Sequence, residues 1–280
     1  MTPFGRTLDN AGILDQESRR SYRSAARSLL RADTSHFVAV RLLVPSALQP
    51  HLLAAYWFAH ATDQLADSGP LPGRRERYDR WTESVRSALD HGAAAADDPV
   101  RLTSFLRTVT DCRIPVEYIA RFLSGMRDDT ACTGLSDEQD FERYVDRVSL
   151  PFLLLLFSVH PGCRAEGQIP AFRLLAAACQ RIDFLADLAD DTRAARARLP
   201  REALADQIAR ARAALRAAQP VLDLTPLELR PMMHVFLRMH ALHLETIERS
   251  GDRVLHRRVG HPAMATVRLL LAGQGQVRHV

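Results

Sequence analysis

The chain has 280 residues, of which 47% are hydrophobic, and its formal net charge is +4. A chain of this length and composition can bury a sizeable core, in one large domain or two small ones. All 37 basic residues are arginines spread along the sequence, so the charge pattern gives weak support to nucleic-acid binding. The sequence contains no G-x-G-x-x-G, G-x-x-x-x-G-K-[ST] or H-E-x-x-H motif, which argues against a nucleotide-binding or zincin-type protein.

The four cysteines and the apolar runs indicate the environment of the protein. The cysteines have neither C-x-x-C nor zinc-finger spacing. The N-terminal residues are polar and charged, without the apolar core of a signal peptide. The longest apolar run, LPFLLLLFSV at 150–159, is about half as long as a membrane span. We therefore expect a reduced, cytoplasmic protein without a transmembrane segment.

Helical periodicity extends over almost the whole chain, and no useful length of sequence alternates as a half-buried strand does. Breakers such as Pro45, the SGPLPG run at 68–73 and HPG at 160–162 separate the segments. The predicted helices span about 16–31, 47–66, 74–90, 99–110, 115–126, 137–158, 168–192, 201–217, 226–249 and 261–272. Pro151 should kink the helix at 137–158, because proline lacks a backbone N–H. We predict a single all-α domain over residues 1–280.

Two of the predicted helices carry aspartates four residues apart, in FAHATDQLAD at 58–67 and FLADLADD at 184–191. Positions i and i+4 share one face of a helix, so Asp63 pairs with Asp67, and Asp187 pairs with Asp191. The same faces carry His60 and Tyr56 in the first helix, and Gln180, Asp183 and Asp190 in the second.

Neighbouring carboxylates on one helix face repel each other unless water or a cation neutralises them. An isolated D-x-x-x-D is most simply a solvated helix face. Here the flanking sequences AAYWFAHA and LLAAACQRIDFLA indicate largely buried helices, and aspartates are rarely buried without a partner. Two such pairs near helix ends are typical of a cleft mouth where carboxylates and substrate phosphates share Mg²⁺. The pattern therefore predicts Mg²⁺-dependent chemistry on a diphosphate.

The quoted segments resemble the squalene/phytoene synthase family, and the likeness runs from about residue 20 to 272. AAYWFAHATDQLAD is similar to the family's first aspartate-rich motif, and CQRIDFLADLADDTRAARARLPREAL to its second. SYRSAARSLLRADTSHFVAVRLLVP resembles the family's N-terminal segment, and ETIERSGDRVLHRRV its C-terminal helix and turn. The resemblance implies a class I isoprenoid-synthase helical bundle around a central cleft, and an enzyme that transfers prenyl groups.

The resemblance also implies roles for individual residues. It assigns metal binding to Asp63, Asp67, Asp187 and Asp191, with Mg²⁺ ions held between the two pairs to stabilise a prenyl diphosphate as leaving group. Asp183 replaces a neutral asparagine and is expected to complete the metal shell, while Gln180 is expected to bind substrate. Arg193 or Arg196, just beyond the second motif, can contact phosphate oxygens. A solvated loop is the simpler interpretation of these two arginines.

The chain departs from the family pattern at several positions. His60 and Ala186 stand where the family has arginines, which weakens the positive wall for a second diphosphate. Leu150 and Leu153 replace small residues on either side of Pro151, and they should shorten or reshape the apolar channel. Further departures are Gln64 for an aspartate, and Arg198 and His240 for tyrosines. Both aspartate pairs are retained, so the first ionisation should survive while the second is impaired.

The allylic cation left by the first ionisation needs electron-rich walls and exclusion of water. The candidate aromatic side chains are Phe37, Tyr56, Tyr144, Phe152 and Phe184, any of which can equally be plain core. His60, one turn before Asp63, is placed to take a proton from an aromatic acceptor or to bind it. A core histidine with its hydrogen bonds satisfied is the alternative interpretation.

Three hypotheses follow from this pattern. The first is a Mg²⁺-dependent prenyltransferase that moves the prenyl group of an allylic diphosphate, dimethylallyl diphosphate by expectation, to a carbazole-type aromatic acceptor in secondary metabolism. The second is a head-to-head synthase that condenses two farnesyl or geranylgeranyl diphosphates. The third is a non-catalytic helical scaffold, against which the retained aspartates argue. Donor length, acceptor identity and oligomeric state stay open.

Overall fold

The computed structural model describes residues 3–67, 69, 71–92, 99–131, 134–164, 166–194, 199, 204–262, 266 and 268–270. Most of these residues are helical, which confirms the predicted all-α fold. The chain divides into two compact units, Met1–Thr130 with Leu154–Arg164, and Ala131–Leu153 with Ala165–Val280. Over the described residues, no helix combines the length and apolar character that crossing a bilayer requires.

The first unit is built mainly from seven helices within the described ranges. They are α1 Phe4–Asn10, α2 Gln16–Ala32, α3 Thr34–Leu43, α4 Gln49–Asp67, α5 Leu71–His91, α6 Pro99–Cys112 and α7 Val116–Ala131. The sequence did not predict α1 or α3. Asp33 alone separates α2 from α3, and its side chain accepts a hydrogen bond from the His36 N–H at 3.1 Å. The aspartate therefore starts α3 as an N-cap.

Helix α4 packs against α2, α5 and α6 at the centre of the first unit. The Phe58 ring stacks on Phe105, with their centroids 3.8 Å apart and their planes nearly parallel at 2°. One turn further along α4, Trp81 Nε1 donates to the buried Thr62 hydroxyl at 2.9 Å. These contacts hold the buried face of α4 and leave the opposite face for the aspartates.

The second unit contains α8 Glu138–Tyr144, α10 Ile169–Arg193, α11 Leu204–Ala217, α12 Val221–Leu224 and α13 Arg230–Ser250. Helix α9, Leu150–Phe157, begins in this unit, and its last residues belong to the first unit. Short 3₁₀ turns of this unit cover Glu166–Gln168, Leu227–Leu229 and Gly251–Leu255, and the one at Pro161–Cys163 belongs to the first unit. Of the predicted helix at 261–272, residues 261 and 262 are described and are not helical, so the predicted start is wrong. Residues 266 and 268–270 are described and are helical.

The helix predicted at 137–158 is divided by a π-helical turn at Val145–Ser149. The Leu150 N–H donates to the Val145 carbonyl, a step of five residues in place of four. Pro151 follows immediately, and it has no N–H with which to continue an α-helical ladder. The kink expected at Pro151 stays a prediction. The π turn just before Pro151 was not predicted, and such turns are frequent at functional sites.

Helix α10 is the long central element of the second unit and packs against α11 and α13. One face holds Arg181, which is 2% exposed. Its guanidinium lies 3.8 Å from the centroid of the Phe141 ring, donates to Gln207 Oε1 at 2.5 Å and pairs with Glu138. Because a helix repeats every 3.6 residues, the row 180, 183, 187 and 191 lies on a different face.

Candidate functional site

The first aspartate pair occupies the last two turns of α4. Asp63 is half-buried and Asp67 is exposed, whereas Thr62 and Ala66 beside them are buried. The prediction that this helix is largely buried therefore holds for its body, while both carboxylates retain access to solvent. A cation arriving from solution can reach this pair.

A hydrogen-bonded network around Asp33 lies in the same unit. The Tyr56 hydroxyl donates to Asp33 Oδ2 at 2.6 Å, and His36 Nδ1 lies 2.6 Å from the same oxygen. Burial disfavours the charged form of Asp33, but the contacts with His36 and Tyr56 outweigh it and hold the pKa of Asp33 well below its usual value. Tyr56, predicted as a substrate contact, thus has a defined partner that the sequence did not predict.

The two remaining predicted residues of this unit are His60 and Phe37, and both are half-buried. Burial lowers the pKa of His60, and the nearby Asp33 carboxylate offsets part of that shift. His60 is therefore neutral at neutral pH and can accept a proton. The predicted contact of His60 with an acceptor, and of Phe37 with the substrate, stays a prediction.

The second aspartate segment lies along α10, where Gln180, Asp183, Asp187 and Asp191 are all half-buried. Gln180 Oε1 accepts a hydrogen bond from the buried Ser149 hydroxyl at 2.7 Å. Ser149 is the last residue of the π turn, so the π turn sets the position of this amide.

Aromatic side chains come together next to this row. The rings of Tyr144 and Phe184 have centroids 5.3 Å apart and are tilted by 59°. Phe184 is buried and also meets Phe141 edge-on at 6.4 Å, whereas Tyr144 and Phe152 are half-buried. Of the five predicted aromatic candidates, Tyr144 and Phe184 form a direct pair, and this pair has the π faces that can stabilise a cation.

Asp187 is held by Arg258, which follows the 3₁₀ turn after α13. Arg258 Nη2 donates to Asp187 Oδ2 at 3.3 Å, and Arg258 Nε lies 2.5 Å from Oδ1. Oδ1 is nevertheless buried and receives no well-directed hydrogen bond from the described residues. Burial raises the pKa of Asp187, and Arg258 opposes that rise. The Arg258 guanidinium is thus the cationic partner of the Asp187 carboxylate within the described residues.

The predicted phosphate contacts beyond the second motif are two arginines, and the structure describes one of them. Arg193 is exposed and pairs with Asp190 on the same helix at 2.9 Å. This pair matches the simpler interpretation of Arg193 as a solvated side chain. Arg196 and Arg198 lie outside the described residues.

The donor set fits a hard divalent cation. Each unit holds one D-x-x-x-D pair at the end of a long helix, and Mg²⁺ prefers carboxylate oxygens together with substrate phosphates and water. Asp187 Oδ1 is buried and forms an ion pair with Arg258, so positive charge is favoured at the second pair. Asp63, Asp67, Asp183, Asp187 and Asp191 are the residues that would hold such ions.

Sequence reasoning missed Asp33, Arg258 and two histidines of the second unit, His243 and His261. Asp33 had a recognisable signal, since ADTSHF places an N-cap residue before a helix. Arg258 lies in the HRRV segment that resembles the family's C-terminal turn. The histidines had no local signal, because their proximity depends on residues far apart in the chain.

Comparison with known proteins identifies the family of this chain. The family model for squalene/phytoene synthase matches residues 30–207. The Bifunctional protein CrtB/UppS of Streptomyces coelicolor is 30% identical over 206 residues, which cover 69% of this chain and 34% of that protein. This chain therefore spans about a third of the length of that curated relative.

Solved structures share the fold at lower identity. Squalene synthase HpnC from Alicyclobacillus acidocaldarius has a TM-score of 0.70 at 22% identity, covering 86% of this chain and 98% of its own. A dehydrosqualene synthase in complex with ligand has a TM-score of 0.77 at 15% identity, covering 95% and 99%. YisP from Bacillus subtilis has a TM-score of 0.67 at 16% identity, covering 91% and 97%.

Proposed function

Since this chain belongs to the squalene/phytoene synthase family, we propose that it is a prenyltransferase that ionises one allylic diphosphate and transfers the prenyl group to an aromatic acceptor. One contrast carries the proposal. Both aspartate pairs are present, whereas a half-buried His60 and a buried Ala186 stand where the family pattern has arginines. The chain keeps both aspartate pairs for the first ionisation, and at positions 60 and 186 it has no arginine to bind a second diphosphate.

In the first step the allylic C–O bond breaks, its electron pair leaves with the diphosphate, and a prenyl cation remains. Bound Mg²⁺ supplies charge that stabilises the departing diphosphate. Asp63, Asp67, Asp187 and Asp191 would hold the ions, with Asp183 as a further carboxylate. Tyr144 and Phe184 would stabilise the cation through their π faces and exclude water from it.

In the second step a ring carbon of the acceptor attacks the cation, a C–C bond forms, and the ring then loses a proton. His60 is a reasonable acceptor for that proton, because burial keeps its imidazole neutral. We expect a carbazole-type or indole-type acceptor in secondary metabolism, because such rings are electron-rich enough to attack an allylic cation. The location is expected to be cytoplasmic, where soluble prenyl diphosphates are available.

The donor is expected to be short. Leu153 is 3% exposed and Leu150 is half-buried, at positions where the family pattern has small residues. Side chains of this volume leave less room for a long isoprenoid tail than glycine or alanine would. We therefore propose dimethylallyl diphosphate as the donor.

A second candidate is a head-to-head synthase that condenses two farnesyl or geranylgeranyl diphosphates. It is favoured by the family match over residues 30–207 and by the similarity in fold to a dehydrosqualene synthase. This candidate requires the second diphosphate to bind without arginines at positions 60 and 186.

The test is product analysis with Mg²⁺ and each of dimethylallyl, geranyl, farnesyl and geranylgeranyl diphosphate, with and without carbazole or indole acceptors. Detection by mass spectrometry of a prenylated aromatic product from the shortest donor would support the proposal. A dimerised hydrocarbon or its diphosphate from a long donor alone would establish the second candidate instead.

A further inference from the structure

A group of metal-ligating side chains other than the aspartate pairs lies in the second unit. It consists of Asp183 on α10, His243 on α13 and His261 after the last 3₁₀ turn. One ligand atom from each residue lies within 4.8 Å of the ligand atoms of the other two. Only Asp183 was singled out by the sequence, and there as a ligand for Mg²⁺.

The hydrogen bonding of His243 points to a ligand. Its Nε2 lies 2.8 Å from the Val259 carbonyl oxygen, which can only accept, so Nε2 carries the proton. Nδ1 then has a free lone pair in the neutral ring, and this atom is buried without a hydrogen-bond partner. The residue is 3% exposed, so water from bulk solvent does not satisfy it. Histidines that bind metals characteristically donate their other N–H to a carbonyl in this way.

The second imidazole is close by. The ring centroids of His243 and His261 are 3.9 Å apart, and the planes are tilted by 37°. Around a tetrahedral ion with bonds to imidazole nitrogen of about 2.0–2.1 Å, neighbouring ligand atoms lie about 3.3 Å apart, so the three side chains, now with ligand atoms within 4.8 Å, would rotate to close around one ion. Two nitrogens and one carboxylate oxygen are therefore available on one side of a single ion.

We propose that Asp183, His243 and His261 bind one divalent transition-metal ion of the Zn²⁺ class. Imidazole nitrogen suits Zn²⁺ and its first-row neighbours, whereas Mg²⁺ and Ca²⁺ prefer all-oxygen sites. Three protein ligands leave at least one coordination position open. The site itself does not depend on the proposed prenyl transfer.

The position of this ion beside the second aspartate pair has a consequence that does rest on the proposed function. Asp183 is one helical turn before Asp187, so both carboxylates share one face of α10. The open coordination position would take an oxygen of the prenyl diphosphate. With this ion bound, Asp183 would serve the histidine site in place of the Mg²⁺ role given to it above, while Asp187 and Asp191 serve Mg²⁺.

The experiment uses the full chain stripped of metal, with Zn²⁺ or Co²⁺ alone and no prenyl substrate. Equilibrium dialysis with metal analysis counts bound Zn²⁺, and visible absorption of bound Co²⁺ reports its ligand set. We expect about one Zn²⁺ per chain that a large excess of Mg²⁺ does not displace. His261→Asn and Asp183→Asn should each weaken Zn²⁺ binding roughly tenfold or more.

His256→Asn is the matched control, because His256 is exposed in the same segment and is outside the cluster. It should bind Zn²⁺ like the wild type, as should Asp63→Asn. Failure of the stripped protein to bind Zn²⁺, or unchanged binding in both His261→Asn and Asp183→Asn, overturns the inference. Because no prenyl donor is present, that result leaves the proposed function untouched, and failure of prenyl transfer likewise leaves Zn²⁺ binding in place.

Discussion

Arg258 forms an ion pair with both carboxylate oxygens of Asp187, with Nη2 at 3.3 Å from Oδ2 and Nε at 2.5 Å from Oδ1. Arg258 lies beyond the end of α13, so the positive charge beside the second aspartate motif comes from outside α10. The family pattern has an arginine at position 186, where this chain has a buried alanine. Arg258 thus supplies a positive charge close to the motif that Ala186 cannot supply.

Arg258→Gln should raise the KM for the prenyl diphosphate about tenfold, because the variant loses a positive charge beside the second aspartate motif, where the diphosphate is proposed to bind. Thermal stability should change little, since Arg258 is 65% exposed and exposed ion pairs contribute little. Steady-state kinetics with each variant is the measurement. Arg257→Gln, an exposed neighbour, is the control and should keep the wild-type KM. Equal KM values in the two variants would remove Arg258 from the site.

Leu153→Ala should shift donor preference towards longer prenyl chains, because it opens space where the family pattern has a small residue. The variant should also lose about 2–5 kcal/mol of stability, since Leu153 is 3% exposed. Competition between dimethylallyl and geranyl diphosphate, analysed by mass spectrometry, measures the preference. Leu155, on the same helix, is 0% exposed. Leu155→Ala should therefore lose similar stability without shifting the donor preference. An identical donor ratio in both variants would show that Leu153 does not limit donor length.

Tyr56→Phe should destabilise the protein by about 1.5–3 kcal/mol at pH 7, because the Asp33 carboxylate loses a donor at 2.6 Å. The pKa of Asp33 should rise towards its ordinary value for the same reason. Urea unfolding at pH 7 measures the loss of stability. Wild-type stability in this variant would mean that water replaces the tyrosine hydroxyl without cost.

Stability should fall on mild acidification because of His51, which is buried with its Nδ1 at 3.1 Å from the Tyr22 hydroxyl and 3.2 Å from Thr108 Oγ1. Burial lowers the pKa of His51 to about 4. Between that pH and the unfolded pKa of about 6.5, the unfolded chain binds the extra proton, so stability decreases as pH falls through this window.

At pH 5 this site should account for a loss of about 2 kcal/mol relative to pH 7.5. His51→Gln should remove that part of the slope, as measured by urea unfolding at the two pH values. His91→Gln, an exposed histidine on α5, is the control and should retain the slope. Parallel pH profiles for wild type and His51→Gln would contradict the assignment.

The helices that carry the aspartates could be predicted closely from sequence. The predicted 47–66 and 168–192 compare with Gln49–Asp67 and Ile169–Arg193 in the structure. Their apolar residues repeat with helical spacing over many turns, and breakers bound them. Helix α3 was missed because it is short and Asp33 alone separates it from α2. The π turn at Val145–Ser149 was missed because the apolar pattern continues through it unbroken.

The partners of the aspartates could be predicted only in part. Positions i and i+4 on one helix follow from geometry, so the pairs themselves needed no tertiary information. The Ser149–Gln180 hydrogen bond and the Arg258–Asp187 ion pair join residues 31 and 71 positions apart. Such contacts depend on how helices pack, and a single sequence has no local signal for them.

The measurement that most directly tests the central claim is Mg²⁺-dependent release of diphosphate from an allylic donor, in the wild type, Asp63→Asn and Asp187→Asn. Loss of a metal ligand should reduce the rate by roughly a hundredfold or more, because the metal supplies several kcal/mol of transition-state stabilisation. The exposed Asp90→Asn is the control and is expected to keep the wild-type rate. The account predicts that folded Asp63→Asn and Asp187→Asn proteins release almost no diphosphate. Near-wild-type release by either variant would contradict the claim that the aspartate pairs perform the ionisation.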